Sequence, residues 1–463
     1  MHLLKWLYPG MKFKRWMGLF SVGVLLVSLG LALVFNYKYL DLIEEAIFRA
    51  VYLWQGSYNY TITTIAGLLF VLVGIALMLT ATRFIIRSVI TVLLPDHSER
   101  LVDLIYEKRK LGRGPAVAVV GGGHGLSVLL RGIKTSTSNV TAVVTVADDG
   151  GSSGRLREDL GIIPPGDLRN CLVALADTEP LMEKLFQYRF EGNNALSGHS
   201  FGNLFIAAMN EVTGDMETAL QESSKVLAVK GRVLPASKEH VRLDATMEDG
   251  TVVEGESQIP EVHKRIQRVH LFPKKVQPVE AALEALRQAD AIILGPGSLY
   301  TSVMPNLLVE GVAETIRDSH AIKIYICNVM SQPGETDGYT ASMHAKAIMD
   351  HAGKGIIDYM LINSSVISDE MKEYYAKQGA YPVEIDDEAI NALGIGFVKA
   401  DIINETDQIR HDPDKLCNSV MRMIYKLKPG ASGNSMSRAK NERKRVFPLC
   451  FEEDGAWLHL LRK

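Results

Sequence analysis

The sequence predicts an α/β fold: a doubly wound, mostly parallel Rossmann-like sheet with a β-hairpin insertion, preceded by an N-terminal two-helix transmembrane hairpin. Three observations carry this. Val- and Ile-rich runs alternate with helical stretches from Pro115 to Leu427, two uncharged apolar runs precede them, and one pair of alternating segments around Asp249-Gly250 interrupts the rhythm. Strand and helix in alternation argue for parallel pairing with helices on both faces.

The first apolar run, Met17 to Phe35, and the second, Ile62 to Ala81, are each long enough to cross ~30 Å of hydrocarbon. Lys12, Lys14 and Arg15 before the first run would also suit a signal peptide, but the run is long for one and no small-residue cleavage site follows. Lys5, Lys12, Lys14 and Arg15 lie before the first span and Arg83 and Arg87 after the second. The intervening loop sets only Lys38 and Arg49 against Asp41, Glu44 and Glu45. The positive-inside rule therefore places both termini, and the domain that follows, in the cytoplasm of a cell whose cytoplasmic membrane holds the hairpin. Trp6, Tyr8, Trp16, Tyr52 and Trp54 sit where interfacial anchors are expected. Neither span contains an ionisable residue to line a path, so an anchor is expected rather than a transporter.

Residues 1–83 are thus read as the anchor, and residues 84–114 as an amphipathic juxtamembrane helix, interrupted at Pro95, with a linker. A dimerising helix, and with it a homo-oligomer, is the competing reading of that segment. Residues 115–427 form the nucleotide-binding domain and residues 428–463 a basic, flexible tail. With 463 residues and a net charge of -3, the chain has room for two or three units and no general basic face, so nucleic acid is not an expected partner. Cys171, Cys327, Cys417 and Cys450 form no CxxC pair and read as reduced, mostly buried thiols.

Ligands of open α/β sheets bind beyond the carboxyl ends of the strands, and there the loops are unusual. The first strand runs into "GGGHGLS", with Gly121, Gly122, Gly123, His124 and Gly125 ahead of a helix. Backbone N–H groups and a helix N-terminus suit a phosphate; tight strand-to-helix packing would explain the same glycines. The third glycine of G-x-G-x-x-G falls on Leu126 and no Lys-Ser/Thr pair completes a P-loop, which counts against a plain NAD(P) or ATP module. The second strand ends at Asp148 and Asp149, which could accept from a ribose, hold Mg2+ beside phosphates, or cap a turn. Gly150, Gly151, Ser152 and Ser153 could form an anion nest, with charge from Arg155 and Arg157.

Further on, Asp167 reads as a helix cap, while Arg169 and Asn170 lie in a first turn where a cation needs a nearby anion. His199, Ser200 and Asn203 gather at the start of another helix, where Ser200 alone would make an N-cap. Gly295, Pro296, Gly297 and Ser298 form a tight turn after a later strand, and Arg410 and His411 precede Asp412, an expected N-cap with Pro413 at N1. Arg410 could reach a phosphate or simply face solvent. No Ser/His/Asp or Cys/His array announces a nucleophile.

Taken together, "GGGHGL", "ADDGGSSGRLR", "PPGDLRN", "GHSFGNL", "GPGSLYTS" and "RHD" resemble the 2-phospho-L-lactate transferase (CofD-like) family, and within it the bacterial gluconeogenesis factor, or YvcK-like, branch. The resemblance covers Pro115 to Leu427. It implies a Rossmann-like core, with Gly121 to Gly125 and Gly295 to Ser298 giving backbone contacts, Asp148 and Asp149 meeting ribose or metal, and Arg410 meeting nucleotide phosphates. The branch implies a sensor of a UDP-sugar, UDP-N-acetylglucosamine, with a protein partner in cell-wall precursor synthesis, supporting cell shape during gluconeogenic growth. The transferase branch implies instead a Mg2+-dependent transfer of a phospholactyl group from a nucleotide-activated donor to a deazaflavin. His124 stands where the family more usually has threonine, and Pro413, which has no hydroxyl to phosphorylate, follows the RHD motif.

Overall fold

A computed structural model describes residues 13–35, 49, 52–53, 60–93, 109–177, 180–193, 195–405, 409–428 and 450–451. The chain divides into two compact units, residues 1–108 and 109–463. In the first unit, helices α1 (Phe13–Phe35) and α2 (Tyr60–Leu93) pack antiparallel through glycines. A Cβ on Gly30 would stand 2.5 Å from the Gly67 carbonyl oxygen, and one on Gly74 2.7 Å from that of Gly23. Only hydrogen at these positions lets the backbones touch, the device by which small residues seat apolar helices on one another. Trp16 stacks on Phe84 with ring centroids 4.1 Å apart. The outer faces stay apolar, with Leu25, Leu72 and Leu79 at least 60% exposed, and both helices are long and apolar enough to cross a membrane. α2 runs on through residue 83 to Leu93. Lys5, Trp6, Tyr8, Lys12, Lys38, Trp54, Pro95 and nearly all of the 428–463 tail lie outside the described residues.

The second unit is built on an eight-stranded sheet ordered β13-β10-β9-β8-β7-β1-β2-β3. Its strands are β1 (Val117–Gly121), β2 (Val140–Val144), β3 (Arg232–Pro235), β7 (Ala291–Leu294), β8 (Ile322–Ile326), β9 (Tyr359–Asn363), β10 (Gly396–Ala400) and the two-residue β13 (Cys450–Phe451). Every pairing is parallel. β1, β2 and β7 are buried along their whole length, as continuous Val/Ile runs with helices on both faces require.

The interruption at Asp249-Gly250 is the expected hairpin. β4 (Arg242–Met247) pairs antiparallel with β5 (Val252–Glu254) and with β6 (Ile266–Phe272). A second ribbon, β11 (Ile403–Glu405) with β12 (Ile409–His411), sets Asn404 opposite Arg410. Cys171, Cys327 and Cys417 are free and buried, in line with the thiol reading.

Candidate functional site

β1 is the strand at which the chain order reverses, with β2 on one side and β7 on the other. Ligands of open α/β sheets sit at such a switch point, and a cavity of about 630 Å³ opens there. Gly122 to Gly125 follow β1 into the helix Gly123–Ile133, and Pro296 to Ser298 follow β7. Gly123 is held at φ +67°, a left-handed conformation that glycine adopts without strain. A Cβ on Gly125 would stand 2.7 Å from the Pro296 carbonyl oxygen, so this glycine permits the two turns to meet. Gly121 ends β1 and Gly295 follows β7, the Gly121 carbonyl accepting from Asn306 Nδ2 at 3.1 Å.

Of the residues singled out in sequence, Gly122, Gly123, His124, Gly125, Pro296, Gly297, Ser298, Arg410 and His411 line the cavity. The remaining wall was not foreseen. It comes from the loop after β8, including Asn328, Gln332 and Glu335, and from Tyr375 and Gln378. Gln332 Nε2 donates to Ser298 Oγ at 2.6 Å and Asn328 Nδ2 to Gln332 Oε1 at 2.9 Å. The Pro333-Gly334 turn was the available signal for this loop. Tyr375 Oη accepts the Ile409 N–H at 3.0 Å and steadies the strand that carries Arg410.

The other polar residues form a separate cluster bonded mainly within itself, with Arg169 Nε and Asn203 Oδ1 buried without a partner. Ser200 caps the helix Phe201–Thr213, accepting from the Asn203 N–H at 3.2 Å, and also accepts from Arg169 Nη1. Arg169 Nη2 donates to Asn170 Oδ1 at 2.7 Å. Ser152 Oγ bonds His199 Nδ1 at 3.0 Å and accepts from Asn203 Nδ2 at 3.1 Å, while Arg155 Nη2 donates to the Ser197 carbonyl at 2.8 Å. The Gly150–Ser153 stretch is the start of the helix Gly151–Leu160, with Gly150 at its N-cap.

The aspartates are committed too. Asp149 accepts the N–H groups of Glu256 and Ser257, each at 2.9 Å, so it anchors the segment that follows the hairpin. Asp148 accepts the Gly150 N–H at 3.0 Å and a bond from the Ser153 hydroxyl. Asp167 is not the helix cap that its position suggested. The helix Gly166–Leu175 starts from Pro165 with no side-chain cap, and Asp167, inside its first turn, accepts the Gly123 N–H instead.

Charge is arranged locally. His124 is held below the usual histidine range by partial burial and by Arg169, Arg410 and Arg131, which together give the glycine loop a positive field in an overall acidic chain. Burial pushes Asp167 up to about 6, Glu335 to about 7 and Glu256 to about 8, the last with help from Asp148, Asp149, Glu335 and Asp167. Among the described residues no group of three or more His, Cys, Asp or Glu forms a metal cage. Asp148 and Asp149 could share a Mg2+ only if phosphate oxygens completed the shell, the usual habit of that ion.

Comparison with known proteins matches this architecture. Residues 117–403 match the family described as 2-phospho-L-lactate transferase CofD. The chain is similar to the gluconeogenesis factor of Halalkalibacterium halodurans, 56% identical over 306 residues that cover 66% of this chain and 95% of that protein. It is also similar to the gluconeogenesis factor of Bacillus subtilis, 52% identical over 315 residues covering 68% and 99%. A Nostoc sp. relative is 47% identical over 425 residues, 90% of this chain and 92% of its own. A crystal structure of a Bacillus halodurans protein superposes with a TM-score of 0.65 at 56% identity, covering 67% of this chain and 99% of that one. With the switch-point cavity, both glycine turns and 287 consecutive residues (117 through 403) matched, the chain belongs to the CofD family, among its gluconeogenesis factor relatives.

Proposed function

We propose that this chain is a membrane-tethered, cytoplasm-facing receptor for a UDP-sugar, UDP-N-acetylglucosamine, that regulates cell-wall precursor supply and cell shape under gluconeogenic growth. The observation that carries the reading is the cavity at the β1/β7 switch point. Two glycine turns there present backbone toward one space and Arg410 stands on its wall, an arrangement suited to a diphosphate. The relatives' name, gluconeogenesis factor, supports the metabolic setting. The apolar outer faces of α1 and α2 and the basic residues beside them support the tether.

The test is calorimetric titration of the full-length protein in lipid nanodiscs with UDP-N-acetylglucosamine, UDP-glucose, GTP and NADP+, each with and without Mg2+. Selective UDP-sugar binding, with the ligand recovered intact, is the expected result. Binding of guanine nucleotide alone, or of none of the four, would sink the reading. The family match favours one second reading, a phospholactyl-type transferase working by positioning and Mg2+. Product formation with a deazaflavin acceptor would select it. Membrane fractionation, with labelling of single cysteines introduced at each terminus, tests the tether and its orientation.

A further inference from the structure

His124 is the one ionisable side chain between Gly121 and Gly125, and it is exposed where the glycine loop lines the cavity. Among the described residues no hydrogen bond ties down its ring. It is the second residue of the helix Gly123–Ile133, whose first turn holds no acidic residue and whose N-cap, Gly122, supplies no side-chain bond. A cation there opposes the helix dipole unless an anion stands nearby. Three cations surround it: Arg169 from the helix Gly166–Leu175, Arg410 from β12 and Arg131 from its own helix. Partial desolvation and these three charges hold the imidazole below the usual histidine range, so it is neutral in the empty cavity at pH 7. The other ionisable groups nearby are engaged elsewhere. Asp167 accepts the Gly123 N–H, Glu335 accepts from Thr301, Tyr375 accepts from Ile409, and burial pushes His411 down to about 4. The helix Pro413–Leu427 packs at Gly132, toward the other end of the same helix, and its cap Asp412 accepts from its own first turn. No carboxylate is among the charges that act on His124.

We propose that His124 is a proton-coupled phosphate ligand: as the diphosphate of the sugar nucleotide enters the cavity, the imidazole takes a proton from solvent and donates a hydrogen bond to a phosphate oxygen. This rests on the reading of the cavity as a UDP-sugar site. The cause is a reversal of field. In the empty cavity the ring faces cations alone and a proton on it is disfavoured; a diphosphate brings negative charge to the same helix N-terminus and favours the charged ring. The imidazolium then gives a charge-assisted hydrogen bond, about twice as strong as a neutral one. No covalent bond changes, and the proton returns to solvent when the nucleotide leaves. Affinity therefore rises as pH falls through the window in which the free ring is neutral and the bound ring charged. An acidifying cytosol would fill the receptor at a lower concentration of sugar nucleotide.

The experiment titrates full-length wild type and His124→Gln with UDP-N-acetylglucosamine from pH 6 to pH 8, each in two buffers of different ionisation enthalpy. Both phosphates of this probe are esterified and stay ionised across that range, so any proton exchanged belongs to the protein. Glutamine keeps a neutral N–H donor and cannot titrate, and the exposed position should accept it without loss of folding, which a thermal melt checks. Wild type is expected to take up between about 0.3 and 1 proton near pH 7 and to bind roughly tenfold more weakly at pH 8 than at pH 6. His124→Gln should take up less than about half of the wild-type amount, with its affinity constant within about threefold across the range. Uptake in His124→Gln at or above half of wild type would place the proton on Asp167 or Glu335 and overturn the proposal, as would wild-type binding with no uptake. Failure of wild type to bind the probe at any pH would overturn the receptor reading, and this proposal with it.

Discussion

Three stretches share one sequence signature, a glycine-rich turn after a buried parallel strand, and they meet two opposite fates. Gly122 to Gly125 and Gly297 to Ser298 open onto the cavity. The stretch after β2, with more charge and more hydroxyls, turns inward, its polar atoms bonding His199, Asn203, Ser197, Glu256 and Ser257. Richness in polar residues therefore does not mark the ligand face. What separates the two is that other segments have claimed most of the donors and acceptors of the inward cluster, although Arg157 Nη1, Arg169 Nε and Asn203 Oδ1 stay buried without a partner. The inward cluster nonetheless acts on the cavity, because Asp167 holds the Gly123 N–H and Arg169 contributes to the field at His124.

The largest expected effect isolates the open side. Arg410→Ala should weaken nucleotide binding by about 1.5–3 kcal/mol, the range for a charge-assisted hydrogen bond, with little change in melting temperature; calorimetry beside thermal unfolding reads both. Next, Gly125→Ala drives a methyl group toward Pro296, and overpacking at such a contact costs about 1–3 kcal/mol of stability, with binding lost as the turns separate. If Gly125→Ala binds normally, the close meeting of the two turns is not what shapes the pocket.

A pH series tests the boundary between the regions. Glu256 rises from 4.5 to about 8 on folding, so the folded state takes up its proton more readily than the unfolded chain. The contribution of this group to stability should be fullest below pH 4.5 and fall as pH climbs toward 8, at up to about 1.4 kcal/mol per pH unit. Thermal melts of Glu256→Gln should show a flatter decline over that window; an unchanged slope would mean that Glu256 is ordinary in the folded protein. The smallest effect belongs to the inward side. Ser200→Ala removes a helix cap and a partner of Arg169, costing about 1 kcal/mol of stability, while nucleotide affinity stays within about threefold. A large affinity loss from Ser200→Ala would erase the distinction between the two regions.

The strands, the hairpin at Asp249-Gly250 and the glycine turns were legible because each rests on local chemistry: β-branched runs, an Asp-Gly turn, conformations open to glycine. The Ser200 and Asp412 caps were legible for the same reason, Asp412 accepting from the N–H groups of Asp414 and Lys415. What stayed hidden depends on partners distant in sequence. Asp149 finds Glu256 across 107 positions, which no reading of "ADDGG" could supply. Asp167 has the spelling of a cap and becomes a brace for Gly123 because the helix begins one residue before it. Gln332 and Glu335 lie in a Pro-Gly turn without a glycine-rich signature, and only the return of that turn beside Ser298 and Thr301 brings them to the cavity.

The β11–β12 ribbon sets an order of events at the ribosome. Both glycine turns emerge early, whereas Arg410 sits 285 positions after Gly125, immediately ahead of the helix Pro413–Leu427. That late helix nestles against Gly132, where a Cβ would strike the Pro413 backbone, so its first turn presses against the helix Gly123–Ile133 made long before it. A nascent chain stopped short of Arg410 has its cradle but no clasp. On the receptor reading proposed above, ligand capture would wait for the chain to be made past Arg410.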